Sequence, residues 1–160
     1  MVRLVDADAE LAAIDEILQS APGVGPIVSA TLIAELPELG NVDWRAIAAL
    51  AGLAPVARDS GKRSGPRAIE GGRPVIRTIL YLAGLHASRA ASRFRDFRDR
   101  LQRAGKAPKA AIIATAHKLL VTLNAMVAHA RDTPFNRLAE YSCRQTRGGS
   151  DLARTRPERR

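Results

Sequence analysis

Ala54 to Arg77 runs APVARDSGKRSGPRAIEGGRPVIR. It shows no helical periodicity and separates two stretches that do, so it joins two helical halves of the chain. It concentrates glycine, proline and basic side chains around one hydroxyl, Ser60, which lies between Asp59 and Gly61. Arg58, Lys62, Arg63, Arg67, Arg73 and Arg77 are the cations available to neutralise a phosphate held beside that hydroxyl. A serine activated by a base, or by a polarised phosphate among cations, is a nucleophile. A serine next to glycine is also a common turn residue, and Ser64 stands in the same setting. Within the loop, Pro55–Ala57 and Arg67–Ile69 read as two weak strands of a short hairpin.

Upstream of the loop, Asn41 or Asp43 caps a short helix from Trp44 to Ala51, which Gly52 ends. Trp44 lies at helical spacing from Ile47 and reads as a core anchor of that helix. Further back, residues 6–20 form an amphipathic helix, with Leu11, Ile14 and Leu18 on one side and Asp6, Asp8 and Glu10 at its start. Pro22-Gly23-Val24-Gly25 cannot continue it, and Pro26 suits the first turn of the next helix, which Pro37 stops. Two helices joined by a glycine hairpin resemble the helix-hairpin-helix motif of DNA-binding proteins. There, backbone N–H groups meet a phosphate and the glycines, here Gly23 and Gly25, let it approach. A plain helical hairpin within a core has the same sequence.

Downstream, a helix from about Pro74 to Ala91 places Ile76, Leu80, Ala83 and Ala87 along one side. Ser92 caps a third segment with Phe94, Phe97 and Leu101 inward and Arg93, Arg95, Arg98, Arg100 and Arg103 on its other faces; Asp96 and Asp99 give local pairs. Gly105 ends it. Pro108 opens the longest helix, to about Ala130, with Ile112, Ala116, Leu119, Leu123 and Val127 as its buried stripe. After Pro134 the pattern fades, and the arginine-rich residues 136–160 read as a disordered basic tail. The expected fold is mainly α: a helix-hairpin-helix followed by a small helical bundle, with an irregular basic loop or short β-hairpin at about 54–73.

Composition agrees. Of 160 residues, 46% are hydrophobic and only 4% aromatic, which favours helices over a β-sandwich. The net charge of +9 is unevenly placed: residues 1–50 hold two basic and eight acidic side chains, and residues 51–160 hold 23 and eight. A basic region of this kind points to a polyanion, most often nucleic acid. Lys106 and Lys109, between the last two helices, belong to the same candidate surface. Cys143 is the only cysteine, so no internal disulfide forms. That fits a cytoplasmic location, as does the absence of a signal peptide or of an apolar run of transmembrane length.

Other chemistry is poorly supported. Gly61-Lys62 is followed by Arg63, which breaks a Walker-type phosphate loop, and Gly23-x-Gly25 lacks the third glycine of a dinucleotide fingerprint. His86, His117 and His129 are scattered, and Asp59, Glu70, Asp96 and Asp99 form no compact acidic set, so no metal site is expected in this chain.

The motifs in order are L-x-x-x-P-G-V-G, L-A-G-L-A-P, D-S-G-K-R, G-G-R-P-V-I-R-x-I-L-Y-L-A and R-A-G-K-A-P-K-A-A-I-I-A-T-A-H-K-L-L. Their combination resembles the C-terminal transposase domain of the DEDD-type insertion-sequence transposases, relatives of the Piv-like DNA invertases, over roughly residues 15–135. The resemblance implies a domain at 1–135, comprising a helix-hairpin-helix at 6–40, a serine loop at 54–73 and a helical part at 74–130. It implies DNA binding and recombination with Ser60 as nucleophile, through a covalent serine–DNA intermediate. It implies as partners an N-terminal RuvC-like domain holding divalent metal (Mg), a structured guide RNA, and further copies of the protein. That acidic half is not recognisable here, so the chain reads as a truncated protein, inactive by itself and without a cofactor of its own. A non-catalytic helix-hairpin-helix DNA-binding module is the competing expectation.

Overall fold

The computed structural model describes residues 9–56, 68, 69, 71–89 and 92–132. Among these residues six helices and one minimal strand pair follow in order: α1 (Ala9–Gln19), α2 (Pro26–Glu35), α3 (Trp44–Leu50), β1 (Pro55–Val56), β2 (Ala68–Ile69), α4 (Pro74–Ala87), α5 (Arg93–Arg103) and α6 (Pro108–Asp132). The mainly helical expectation holds, and so does the short hairpin: β1 and β2 pair antiparallel, Pro55 opposite Ile69 and Val56 opposite Ala68.

Proline sets the helix starts. Pro26 and Pro74 occupy the first turns of α2 and α4, where a missing N–H costs nothing. α3 starts on a side-chain cap: the Asp43 carboxylate accepts from the Ala46 N–H at 2.7 Å. It ends in a paired turn, with Gly52 N–H donating to Ala49 O and Leu53 N–H to Ala48 O. Ser92 stands at the cap position of α5, but its hydroxyl caps nothing there; it donates back to Ala87 O at 2.8 Å. That bond belongs to the end of α4, which stops at Ala87 rather than Ala91.

α6 is the spine, and its widest contact is with α4. The two come so close at Gly84 that a Cβ there would lie 2.9 Å from the Ala116 nitrogen. Leu18, Leu32, Leu36, Ile47, Ile76, Leu80, Leu119, Leu120, Leu123 and Val127 are fully buried in one core. Each such side chain contributes about 1.5–3 kcal/mol of transfer free energy. Ile112, expected in the buried stripe of α6, is half-buried, and Ala111 and Thr115 take the inward positions. Over Pro108–Arg131 this helix is long and apolar enough, by length and composition, to cross a membrane. That corrects the expectation that no run reaches that length; its apolar side supplies the core contacts just described.

The segment between α2 and α3 is fastened to α6 by polar groups. Asn124, buried, accepts from the Gly40 N–H and donates to Val42 O, both at 2.8 Å. The Arg131 guanidinium donates to Leu39 O at 2.9 Å and lies 3.9 Å from the Glu10 carboxylate.

Trp44 is not a core anchor. It is 52% exposed, in the first turn of α3, with the Arg45 guanidinium 5.0 Å from its ring centre. Ile47 and Ala48, one turn further on, make the contact with the core.

Candidate nucleic-acid interface

The basic loop leaves the core through a tightly constrained neck. Gly52, after α3, and Gly72, before α4, both have left-handed backbones (φ +66° and +65°). A Cβ on Gly72 would lie 2.2 Å from the Gly52 nitrogen, and one on Gly52 would lie 2.3 Å from Gly71 O. Both conformation and space therefore demand glycine. Arg73 N–H donates to Leu50 O at 2.9 Å, and the β1–β2 pair closes the ladder one step further out.

Two of the expected phosphate-neutralising arginines are occupied in holding this neck. The Arg73 guanidinium meets Glu38 in a fork of 2.8 and 2.7 Å, and its Nη1 also donates to Glu35 O at 2.6 Å. The fork, helped by Glu38's own backbone N–H, draws the Glu38 carboxyl down to about 2. Arg77 donates to Gly71 O at 2.7 Å. Glu38 is the functional residue that sequence reading missed. It stands in E-L-P-E-L-G, 35 positions from its partner, and nothing local distinguishes it from a solvated acid.

The remaining expected site residues divide into three groups. Ser60, Arg58, Lys62, Arg63 and Arg67 lie outside the described residues, as do Ser64 and the tail 136–160. Gly23 and Gly25 form the α1–α2 hairpin. Gly23 (φ +87°) is fitted against α4, since a Cβ there would lie 2.4 Å from Ala83 O; Gly25 caps α2 with open space around it. Lys106 and Lys109 are exposed at the α5–α6 turn. The hairpin and the lysines are therefore not gathered around the neck by any contact among the described residues.

α5 carries the densest charge. Arg98 grips Asp99 through Nε and Nη2 at 2.9 and 2.6 Å, and Arg95 approaches the same carboxylate at 4.0 Å. Phe97 is half-buried, with Arg100 at 5.4 Å and Lys118 at 4.4 Å from its ring centre. Among the described residues no group of three or more His, Cys, Asp or Glu side chains has a metal-holding arrangement. His117, half-buried on α6, is held below its usual pKa by burial, which favours the neutral ring.

Comparison with known proteins gives these features a context. The model of the "Transposase IS116/IS110/IS902 family" matches residues 15–99, from α1 through the neck to the middle of α5. The chain is also 36% identical over 120 residues to the "Insertion element IS900 uncharacterized 42 kDa protein" of Mycobacterium paratuberculosis. That alignment covers 70% of this chain and 29% of the relative. It is 49% identical over 51 residues to the "Insertion element IS116 uncharacterized 44.8 kDa protein" of Streptomyces clavuligerus, covering 31% of this chain and 13% of that one. The chain thus spans less than a third of either relative.

Proposed function

Because the chain belongs to the transposase IS116/IS110/IS902 family, we propose that it binds DNA and presents Ser60 as the nucleophile of a recombination reaction. The observation that carries this reading is the neck. The family match runs through it, and two left-handed glycines, a strand pair and two arginine contacts fix where the serine loop begins and ends. Such rigid support under a loop is what a positioned nucleophile requires.

In the step proposed, the Ser60 hydroxyl loses its proton to a base and its oxygen attacks a backbone phosphorus. One serine–phosphate bond forms, and the bond to one deoxyribose oxygen breaks. The released oxygen takes up a proton, and the phosphodiester is conserved as a protein–DNA ester for later rejoining. Arg58, Lys62, Arg63 and Arg67 are the loop cations available to the phosphate, since Arg73 and Arg77 are engaged in the neck. The described residues do not supply a divalent-metal site. The resemblance implies an acidic, RuvC-like metal-binding domain and a structured guide RNA, which this reading takes as partners in an assembly of several copies working in the cytoplasm.

The test is Ser60→Ala in an assembly that includes the acidic domain. The covalent protein–DNA adduct, read as a mobility shift resistant to denaturant, should disappear while DNA affinity changes less than about twofold. Persistence of the adduct rejects Ser60. Loss of adduct from every preparation, with salt-sensitive DNA binding intact, favours the second reading, a non-catalytic helix-hairpin-helix module. The α1–α2 glycine hairpin is the observation behind that reading.

A further inference from the structure

Charge is unevenly distributed among the described helices. From α1 to α3, residues 9–50 carry six acidic side chains and one basic one, Arg45. From the start of α5 to the first turn of α6, residues 93–109 carry seven basic side chains and two acidic ones. The spine separates them. The C-terminal part of α6 holds the acidic side through Asn124 and Arg131, while α5 packs against its N-terminal part, where Lys118 meets Phe97.

α5 also lies far from the neck. The neck closes on the N-terminus of α4 through Arg73, whereas α5 starts beside the C-terminus of α4, where Ser92 bonds Ala87 O. The intervening 14 residues of α4 span roughly 21 Å at about 1.5 Å per residue.

Within α5, local pairing consumes only part of the charge. Asp99 is taken by Arg98 and Arg95. Arg93, Arg100 and Arg103 are exposed and have no carboxylate partner among the described residues. At about 100° per residue they fall within roughly 80° of one another on the helix, with Asp96 in the same arc. Phe94 is buried, and the ring of Phe97 is covered by two cations. The surface therefore offers guanidinium forks without an aromatic platform. Unpaired bases are held by stacking on aromatics, whereas a duplex backbone needs only phosphate contacts. The depression beside it, lined by Ser92, Arg93, Arg95, Asp96 and Asp99, mixes both signs of charge and is not an anion pocket.

We propose that the exposed arginines of α5, continued by Lys106 and Lys109, form a rail for the phosphodiester backbone of a DNA duplex, apart from the neck. The rail rests on the reading that this chain binds nucleic acid. It lies roughly 21 Å from the neck, the length of α4.

The experiment is binding of the full chain, by fluorescence anisotropy over a salt series, to a 30-mer of arbitrary sequence as duplex DNA, duplex RNA and single strand. The parent is compared with Arg93→Gln/Arg100→Gln/Arg103→Gln and with Asp96→Asn. For the duplex, the triple variant should lose at least about tenfold in affinity near 0.1 M salt, and its log K against log salt slope should flatten by about 2–3. Asp96→Asn should tighten binding, an opposite sign that a folding defect does not produce. A flattened slope with duplex RNA and none with duplex DNA overturns the DNA rail. An unchanged slope in the triple variant, or a loss confined to the single strand, overturns the rail and leaves the binding reading standing. A parent that binds nothing in a salt-dependent way overturns both.

Discussion

Arg73 and Glu38, 35 positions apart in the sequence, meet through two parallel hydrogen bonds of 2.8 and 2.7 Å. That fork ties the start of α4 to the segment between α2 and α3 and makes the neck's stability depend on pH. Glu38 titrates at about 2 in the folded protein, against an ordinary 4.5. A carboxyl depressed in this way stabilises the fold fully above its unfolded pKa, and the contribution is lost as pH falls through the folded pKa. The melting temperature of Glu38→Gln should therefore lie below that of the parent at neutral pH, and the gap should close between about pH 4.5 and 2. A gap that persists unchanged at pH 2 would reject the fork as its source.

The three glycines of the neck should respond unequally to alanine. Gly52→Ala and Gly72→Ala combine a left-handed backbone with a Cβ at 2.3 or 2.2 Å from the opposing chain. Each should cost on the order of 2 kcal/mol or more. Gly71 is also left-handed (φ +74°) but has open space around it, so Gly71→Ala should cost only about 1 kcal/mol. Urea unfolding of the three variants checks the order.

Asn124 satisfies the N–H of Gly40 and the carbonyl of Val42 with one side chain. Asn124→Ala leaves both without a partner and should destabilise the protein by about 2–4 kcal/mol. Amide exchange at Gly40 should accelerate with it, because that N–H loses its acceptor.

Trp44, the only tryptophan, is 52% exposed. Trp44→Ala should cost less than about 1 kcal/mol, the scale of an exposed cation–π contact with Arg45. The native fluorescence should already be solvent-quenched by acrylamide. A shielded native signal would return Trp44 to the core.

Much of the scaffold is legible before any coordinates. Pro26, Pro74 and Pro108 mark helix starts because the ring fixes the backbone angle, and Ile76, Leu80, Ala83 and Ala87 announce their side by spacing alone. Trp44 misleads because an apolar side chain at helical spacing need not be an inward one: Ile47 and Ala48 take the inward positions, and Trp44, about 60° round the helix from Ile47, is 52% exposed. Arg73 is visible as a cation, while its long-range partner is not, so the sequence offers it to a phosphate and the fold gives it to Glu38. Gly23 shows the same limit, since the sequence asks for a close approach at that point and only the packing identifies α4 as the neighbour.

The β1–β2 pair and the Gly52–Gly72 contact have an evolutionary consequence. The eleven residues between Val56 and Ala68 enter and leave at points fixed by the scaffold, so a change in their length leaves those points in place. Closure entropy grows only with the logarithm of length, and doubling such a segment costs about 0.6 kcal/mol. The neck therefore works as a socket, into which a lineage, or an engineer, can exchange the loop as a cassette without rebuilding the helices that carry it.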